Sequence, residues 1–396
     1  MAALRDGRRR PQIATATVWL CVFAMFALRL RSCNALEEDL RRPRRWERWV
    51  GGQRTPRADT VGRVLAGASL AELRALLASV TRRAWRAKAI HGRLGETYRV
   101  MAVDGHELWA SRARCCPECL TREVTVGGGT AREYYHRVVV AQWVGVTPPA
   151  ILDFERIRPA EGEVVAARRL VTRIVRSAGR LVDVITADAL YLEAPFIATV
   201  LAAGKHVVIV MKQEARELYQ DAERLRALQP PQVIRAGART TRLWDLPDLE
   251  SFATLQRPVR VVWAEEQTVR HRWEGGVLRE VVEEGRWIWV TDLLPGVVAA
   301  EKIQRWGHDR WDLENRGFNE LATLWHMDHC FVHDPTATEA LLLTLAAAFV
   351  LTYLFYERNL KPAARRHVSR LALAARLREE FALSGPPLWP AVQRSD

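Results

Sequence analysis

Between residues 96 and 212 the hydrophobic period changes twice, in an order that few folds accept. "TYRVMAVDGHELWAS", "REVTV" and "YYHRVVVAQWVG" alternate with period two, broken by Gly127, Gly128 and Gly129, and read as three strands in a meander. "EGEVVAARRLVTRIVRSAG" then takes helical spacing and closes on Gly179. The strand "LVDVITAD", a helix from about 192 to 203 ended by Gly204, and the strand "HVVIVMK" follow. Helices between the later strands are crossovers, and crossovers force parallel pairing. The expectation is an α/β protein: a mixed sheet with helices on its faces.

The 396 residues exceed what one domain usually holds, so further parts must flank this region. Residues 1–95 have helical spacing and basic outer faces. In "SLAELRALLASVTRRAWRAKAI", Leu70, Leu73, Leu76 and Leu77 share a face and Ser69 with Glu72 forms a capping box. We expect an N-terminal helical, basic DNA-binding domain over 1–95 and the first part of the sheet domain over 96–212. A β-rich insertion would fill 213–300, where "RPVRVVWAEEQTVRHRW" and "GRWIWVTDLL" are strand-like. Helices return over 301–360, and a basic C-terminal helix and tail occupy 361–396.

Two apolar runs bear on the class of protein. "IATATVWLCVFAMFAL" (13–28) follows an arginine-rich start as a signal-peptide core would, but no small-x-small cleavage site follows it. "ALLLTLAAAFVLTYLFY" (340–356) only reaches the lower limit of a membrane span. Both are short and carry threonines, which favours two buried helices over a membrane-attached basic protein.

Lys and Arg number 59 against 46 Asp and Glu, a formal net charge of +13, which favours a polyanionic partner or an acidic membrane surface. The arginines fall in "RDGRRR" (5–10), "RRPRRWER" (41–48), "TRRAWRAK" (81–88) and "KPAARRHVSRLALAARLR" (361–378), two of them interleaved with Trp, which moves the balance toward nucleic acid. Six scattered cysteines are unlike a disulfide-stapled secreted domain and suit a reducing cytoplasm.

Strand alternation places two acids. Tyr98, Val100, Ala102 and Asp104 lie on one side of their strand, and Val182, Val184, Thr186 and Asp188 on one side of theirs. Each acid stands at the carboxyl end, where sheets of this type expose their sites. Carboxylates brought side by side repel unless a cation bridges them, and magnesium or manganese prefers such hard oxygen donors. Taken singly, Asp104 opening a "DG" turn and Asp188 capping the next helix are simpler readings. For a third ligand, "WGHDRWDLENRGFNELATLW" (306–325) offers Asp309, Asp312, Glu314 and Glu320. Glu314 is preferred because Arg310, four residues earlier on the same helical face, adds a phosphate-binding guanidinium; an ordinary intrahelical ion pair is the plainer account.

"AVDGHEL", "YYHRVVV", "EGEVVAARRL", "VITADALY" and "RWDLEN", in this order, resemble the DDE transposases of bacterial insertion sequences, in the group whose third acid follows a β-rich insertion. The resemblance extends over about 30–360 and implies a ribonuclease-H-like fold. It carries the three catalytic acids to Asp104, Asp188 and Glu314, and the family's arginine to Arg310. It also implies two magnesium or manganese ions on those acids, cleavage at insertion-sequence ends, strand transfer into target DNA, and phosphoryl transfer without a covalent protein intermediate. Terminal inverted repeats and target DNA would be the partners, the protein a homodimer on DNA, its place the cytoplasm with the nucleoid. The family's signature has a tyrosine three residues before the arginine and a lysine seven after the glutamate; here stand Gly307 and Leu321, with Trp306, His308 or Lys302 as open substitutes. In this family's insertion an aromatic side chain stacks on a flipped base, for which Trp287 and Trp289 are candidates, with the alternative that at least one is core. Because of Gly307 and Leu321, a degenerate copy that binds DNA without cutting it stays open beside the active transposase, and so, separately, does a nuclease that shares the fold without strand transfer.

"RCCPECL" holds Cys116-x-x-Cys119, half of a zinc signature. No second cysteine pair follows, and His106 and His136 contribute only if the fold carries them there, so a reduced turn is the simpler expectation over Zn2+.

Overall fold

The computed structural model describes residues 4–5, 7–42, 46, 49–51 and 53–382. Residues 43–45, 47 and 48 of the second arginine cluster, and the "SGPPLWP" tail, lie outside the described residues. By contacts the chain forms two compact units. The first gathers the described residues of Met1–Gly95, Gly105–Ala166 and Glu314–Asp396; the second is Glu96–Asp104 with Ala167–Leu313. The helical segment 1–95 is thus packed in one unit with two later parts of the chain.

The strands are β1 (His91–Gly92), β2 (Val100–Ser111), β3 (Leu120–Val126), β4 (Gly129–Val144), β5 (Val146–Thr147), β6 (Ala150–Arg156), β7 (Val184–Ala187), β8 (His206–Val210), β9 (Gln232–Ala236), β10 (Arg239–Leu249), β11 (Val259–Glu274) and β12 (Val277–Thr291). One 10-stranded mixed sheet runs β3-β4-β2-β7-β8-β12-β11-β10-β9, with β6 on β4, and helices flank it, the ribonuclease-H-like α/β class expected. The three expected strands are present but do not run as a meander: β4 lies between β3 and β2, and β3 joins β4 through a turn where Gly127 (φ 58) and Gly128 (φ 84) take the left-handed conformation that glycine permits without strain. A further strand, β6, pairs antiparallel with the distal half of β4.

In the first unit, helix Pro335–Asn359 is the central element, contacting helices Thr15–Ala27, Ala58–Ala66 and Leu70–Arg86 and strand β6. It is long and apolar enough to cross a membrane, yet 83% of its apolar stretch is buried inside the protein. An apolar surface all round a helix needs neighbours on every side, and here protein supplies them. The helix also carries Glu339, which pairs with Arg74 and, at 3.4 Å, with Arg156. Both apolar runs of the sequence are therefore core helices, Thr15–Ala27 burying Val18, Trp19, Val22, Met25 and Phe26. Ser69 caps helix Leu70–Arg86, its hydroxyl accepting from the Glu72 amide.

In the second unit, β7 and β8 run parallel to β2 and to each other. The strands of 213–300 do not make a separate sheet: helix Glu217–Ala227 comes first, and β12 then pairs antiparallel with β8 and continues the sheet through β11, β10 and β9. Arg260 anchors this extension from inside the core. It grips the Asp245 carboxylate with two nitrogens, at 2.6 and 2.8 Å, and donates to the carbonyls of Leu293 and Val298. A buried guanidinium so fully paired escapes the cost of an isolated buried charge.

Candidate active site

Register decides how close the two aspartates stand. The parallel pairs Val100↔Val184, Met101↔Ile185, Ala102↔Thr186 and Val103↔Ala187 put Asp104 and Asp188 next in line, side by side at the carboxyl ends of adjacent strands. Neither simpler reading describes them. β2 runs on through Asp104 and Gly105 to Ser111, so there is no turn at "DG". Glu193, not Asp188, stands at the N-cap position of helix Ala194–Ala202, while Asp188 precedes a short 3-10 turn, Ala189–Tyr191, without a side-chain cap on it.

Two cations hold this acidic pair. The Arg310 guanidinium, 4% exposed, donates through Nη1 to Asp104 Oδ2 at 3.0 Å. Lys212 Nζ lies 2.9 Å from Asp188 Oδ1. Burial pushes the Asp188 carboxyl up, but Lys212, the Ala189 amide and the Arg310 charge outweigh it and hold the group below the usual aspartate range. The Asp188 carboxylate is thus held in its charged form, and hard oxygens in a positive setting are what a magnesium or manganese ion uses. Glu314 belongs to the other unit, as the exposed second residue of a π-helical stretch, Leu313–Phe318, four positions beyond Arg310. Single π turns inside α-helices occur often at functional sites.

Residues 159–351 match the family model described as the transposase DDE domain. Residues 159–351 are thus similar to a transposase DDE domain. The span holds Asp188, Arg310 and Glu314 and begins after Asp104. Enzymes of this family act on DNA and generally use divalent metal ions. No curated protein matches the chain.

Two positions depart from the signature of the transposases that the chain resembles, and both are taken up by packing. At Gly307 a Cβ would stand 2.0 Å from Trp289 Nε1: the indole from β12 already fills the space a side chain would enter. Leu321 is completely buried, so its position has become core. None of the three open substitutes is idle. Trp306 Nε1 donates to Glu96 Oε2 at 3.0 Å, Lys302 lies 3.7 Å from the same carboxylate, and His308 Nε2 is 2.7 Å from Glu266 Oε1. The cation that does reach Asp188 is Lys212, which no sequence motif marks.

The two tryptophans of the insertion differ. Trp289 is 1% exposed and packs on His308 at 5.1 Å between ring centroids, so it is core. Trp287, two residues earlier on the same strand, is half-buried and meets Trp311 edge-on at 4.7 Å, with Trp311 itself exposed and next to Arg310.

Basic side chains gather in the first unit. Arg8, Arg9, Arg10, Arg54, Arg57 and Arg63 line an open groove of about 850 Å³, and among the described residues that line it none is acidic.

The cysteine pair is not a plain turn. Cys116 and Cys119 have His136 and His333 beside them, while His106 instead sits 2.8 Å from Asp328 and stacks on Phe318.

Proposed function

We propose that this protein is an active transposase that cleaves DNA at the ends of an insertion sequence and joins the freed 3′ hydroxyl to target DNA. The observation that carries the reading is the register that sets Asp104 beside Asp188 at the carboxyl ends of parallel strands. Asp104, Asp188 and Glu314 are the proposed ligands of two magnesium or manganese ions, Glu314 on the strength of its place in the matched span. Bound there, such ions polarise the scissile phosphate and lower the pKa of water or of the 3′ hydroxyl. Arg310 orients the Asp104 carboxylate and adds positive charge beside the phosphate; Lys212 does the same for Asp188. The half-buried Trp287, with Trp311, is the proposed platform for an unstacked base. The protein acts as a homodimer on the inverted repeats, in the cytoplasm with the nucleoid.

The test is cleavage of a labelled element end in magnesium, with strand transfer read from joining to a second duplex. Products cut but never joined would make it a nuclease. End binding without cutting, at the wild-type level of Asp188→Asn, would make it a degenerate copy, the reading that Gly307 and Leu321 favour.

The arginine groove supplies the phosphate-binding charge in this scheme, so affinity for the ends falls steeply with salt. Replacing Arg54, Arg57 and Arg63 together with Ala flattens the log–log salt slope by about 0.9 for each phosphate no longer neutralised, near 2.7 in all. An unchanged slope in a filter-binding or anisotropy titration would remove the groove from the DNA interface.

A further inference from the structure

We infer that Cys116, Cys119, His136 and His333 form a closed, structural zinc site, a second metal centre made of different atoms from the carboxylate one and independent of the transposase reading. The local chain builds half of it. In the loop between β2 and β3 the Cys119 amide donates to the Cys116 carbonyl at 3.1 Å, and the Cys116 amide donates to Cys119 Sγ at 3.2 Å. That turn aims both sulfurs to one side. Strand register brings the third group: Leu120 faces Tyr135 across the β3–β4 ladder, so one step further Cys119 faces His136. The fourth comes from far along the chain. His333 precedes Asp334, the side-chain cap of helix Pro335–Asn359, and Thr338 Oγ1 donates to the Val332 carbonyl, so the segment bearing His333 is pinned on both sides.

The distances are those of a tetrahedron around one ion. Zinc–sulfur bonds of about 2.3 Å and zinc–nitrogen bonds of about 2.0–2.1 Å require S···S edges of about 3.8 Å and S···N edges of about 3.6 Å. Here Cys116 Sγ and Cys119 Sγ are 3.6 Å apart. His136 Nε2 is 3.4 Å from Cys116 Sγ and 3.3 Å from Cys119 Sγ, and His333 Nε2 is 3.3 Å from Cys119 Sγ. All four donor atoms lie within 4.8 Å of one another. Both thiols are free, with sulfurs too far apart for a disulfide. Two thiolates and two imidazoles are a borderline-soft set that selects zinc over magnesium, and four protein ligands leave no open position for catalysis. Trp109 walls the site, its ring 4.8 Å from His136 and 4.6 Å from His333. Zinc here would tie the β2–β3 loop and β4 to the entry of the central helix of the unit.

The experiment measures metal in the full-length protein purified without chelator from zinc-supplemented cells. The expected content is one zinc per chain, kept by Cys115→Ser and lost from Cys119→Ser and His333→Asn. Should those variants fail to fold, the wild-type protein stripped of metal is titrated with cobalt(II). Tetrahedral ligand-field bands and a thiolate-to-cobalt charge-transfer band, saturating at one equivalent and displaced by zinc, support the site. Zinc-free wild-type protein that gives no thiolate-to-cobalt band, or whose melting temperature is the same with and without zinc, overturns it.

Discussion

Asp104→Asn, Asp188→Asn and Glu314→Gln each lower the rate of end cleavage by ~10³-fold or more and leave the affinity for the ends within about a factor of three. The size follows from what is removed. An amide matches the carboxylate in shape but loses its charge, and with it the hold on an ion whose contribution to the transition state is several kcal/mol, at tenfold for each ~1.4 kcal/mol. Affinity is expected to come mostly from arginine contacts to phosphate, which these changes do not touch. At Asp104 and Asp188 a second effect adds to the first: Arg310 and Lys212 lose their partner charge, and Arg310 is nearly buried. Arg310→Ala is therefore expected to lose cleavage as well, with Arg310→Lys recovering little, because a lysine cannot reproduce a planar guanidinium. Single-turnover cleavage beside equilibrium end binding is the measurement. An Asp188→Asn protein that cuts at the wild-type rate would end the assignment of the acids.

The pairing of those acids could be read from the chain because two simple periods control it. Alternation puts each acid at the carboxyl end and on a known side of its strand, so that the acids meet once β2 and β7 are placed side by side and parallel, as the structure places them. Lys212 could not be read the same way. Its relation to Asp188 depends on β8 lying next to β7, with Ala187 paired to Ile209, and strand order is a tertiary fact. The zinc ligands divide likewise. The cysteine pair is a local signal, while His333 enters only through the packing of the helix that follows it. For Trp287 and Trp289, period two would separate the faces of adjacent residues, but these two are alternate residues and share a face. Their different burial comes from helix Ala300–Asp309, where Gly307 opens a slot that Trp289 fills. The inserted strands were recognisable as strands, but their joining of the main sheet through β12 was not, since an antiparallel partner at a sheet edge leaves no mark in either sequence.

Gly307→Tyr, which writes the family's residue into its position, is expected to destabilise the protein by roughly 3 kcal/mol or more. A Cβ there would meet the Trp289 indole at 2.0, 2.4 and 2.5 Å, far inside van der Waals contact. The indole cannot simply swing aside, because it is buried and set against His308, itself in contact with Trp287 and Trp311. Helix and strand must part, or the tryptophan must leave its rotamer; even Gly307→Ala meets this penalty, against a gain of about 1 kcal/mol in helix propensity. Trp289→Ala alone costs about 3–5 kcal/mol through the cavity it leaves. Combined, the two changes relieve each other, since the tyrosine ring occupies the volume the indole vacates. The double variant should be more stable than the sum of the single losses by at least about 1 kcal/mol, a coupling expected only of residues in contact. Thermal or urea unfolding of the four proteins gives the cycle. Strict additivity would mean that Trp289 does not fill the slot at Gly307, and the missing tyrosine would then need another explanation than a volume already taken.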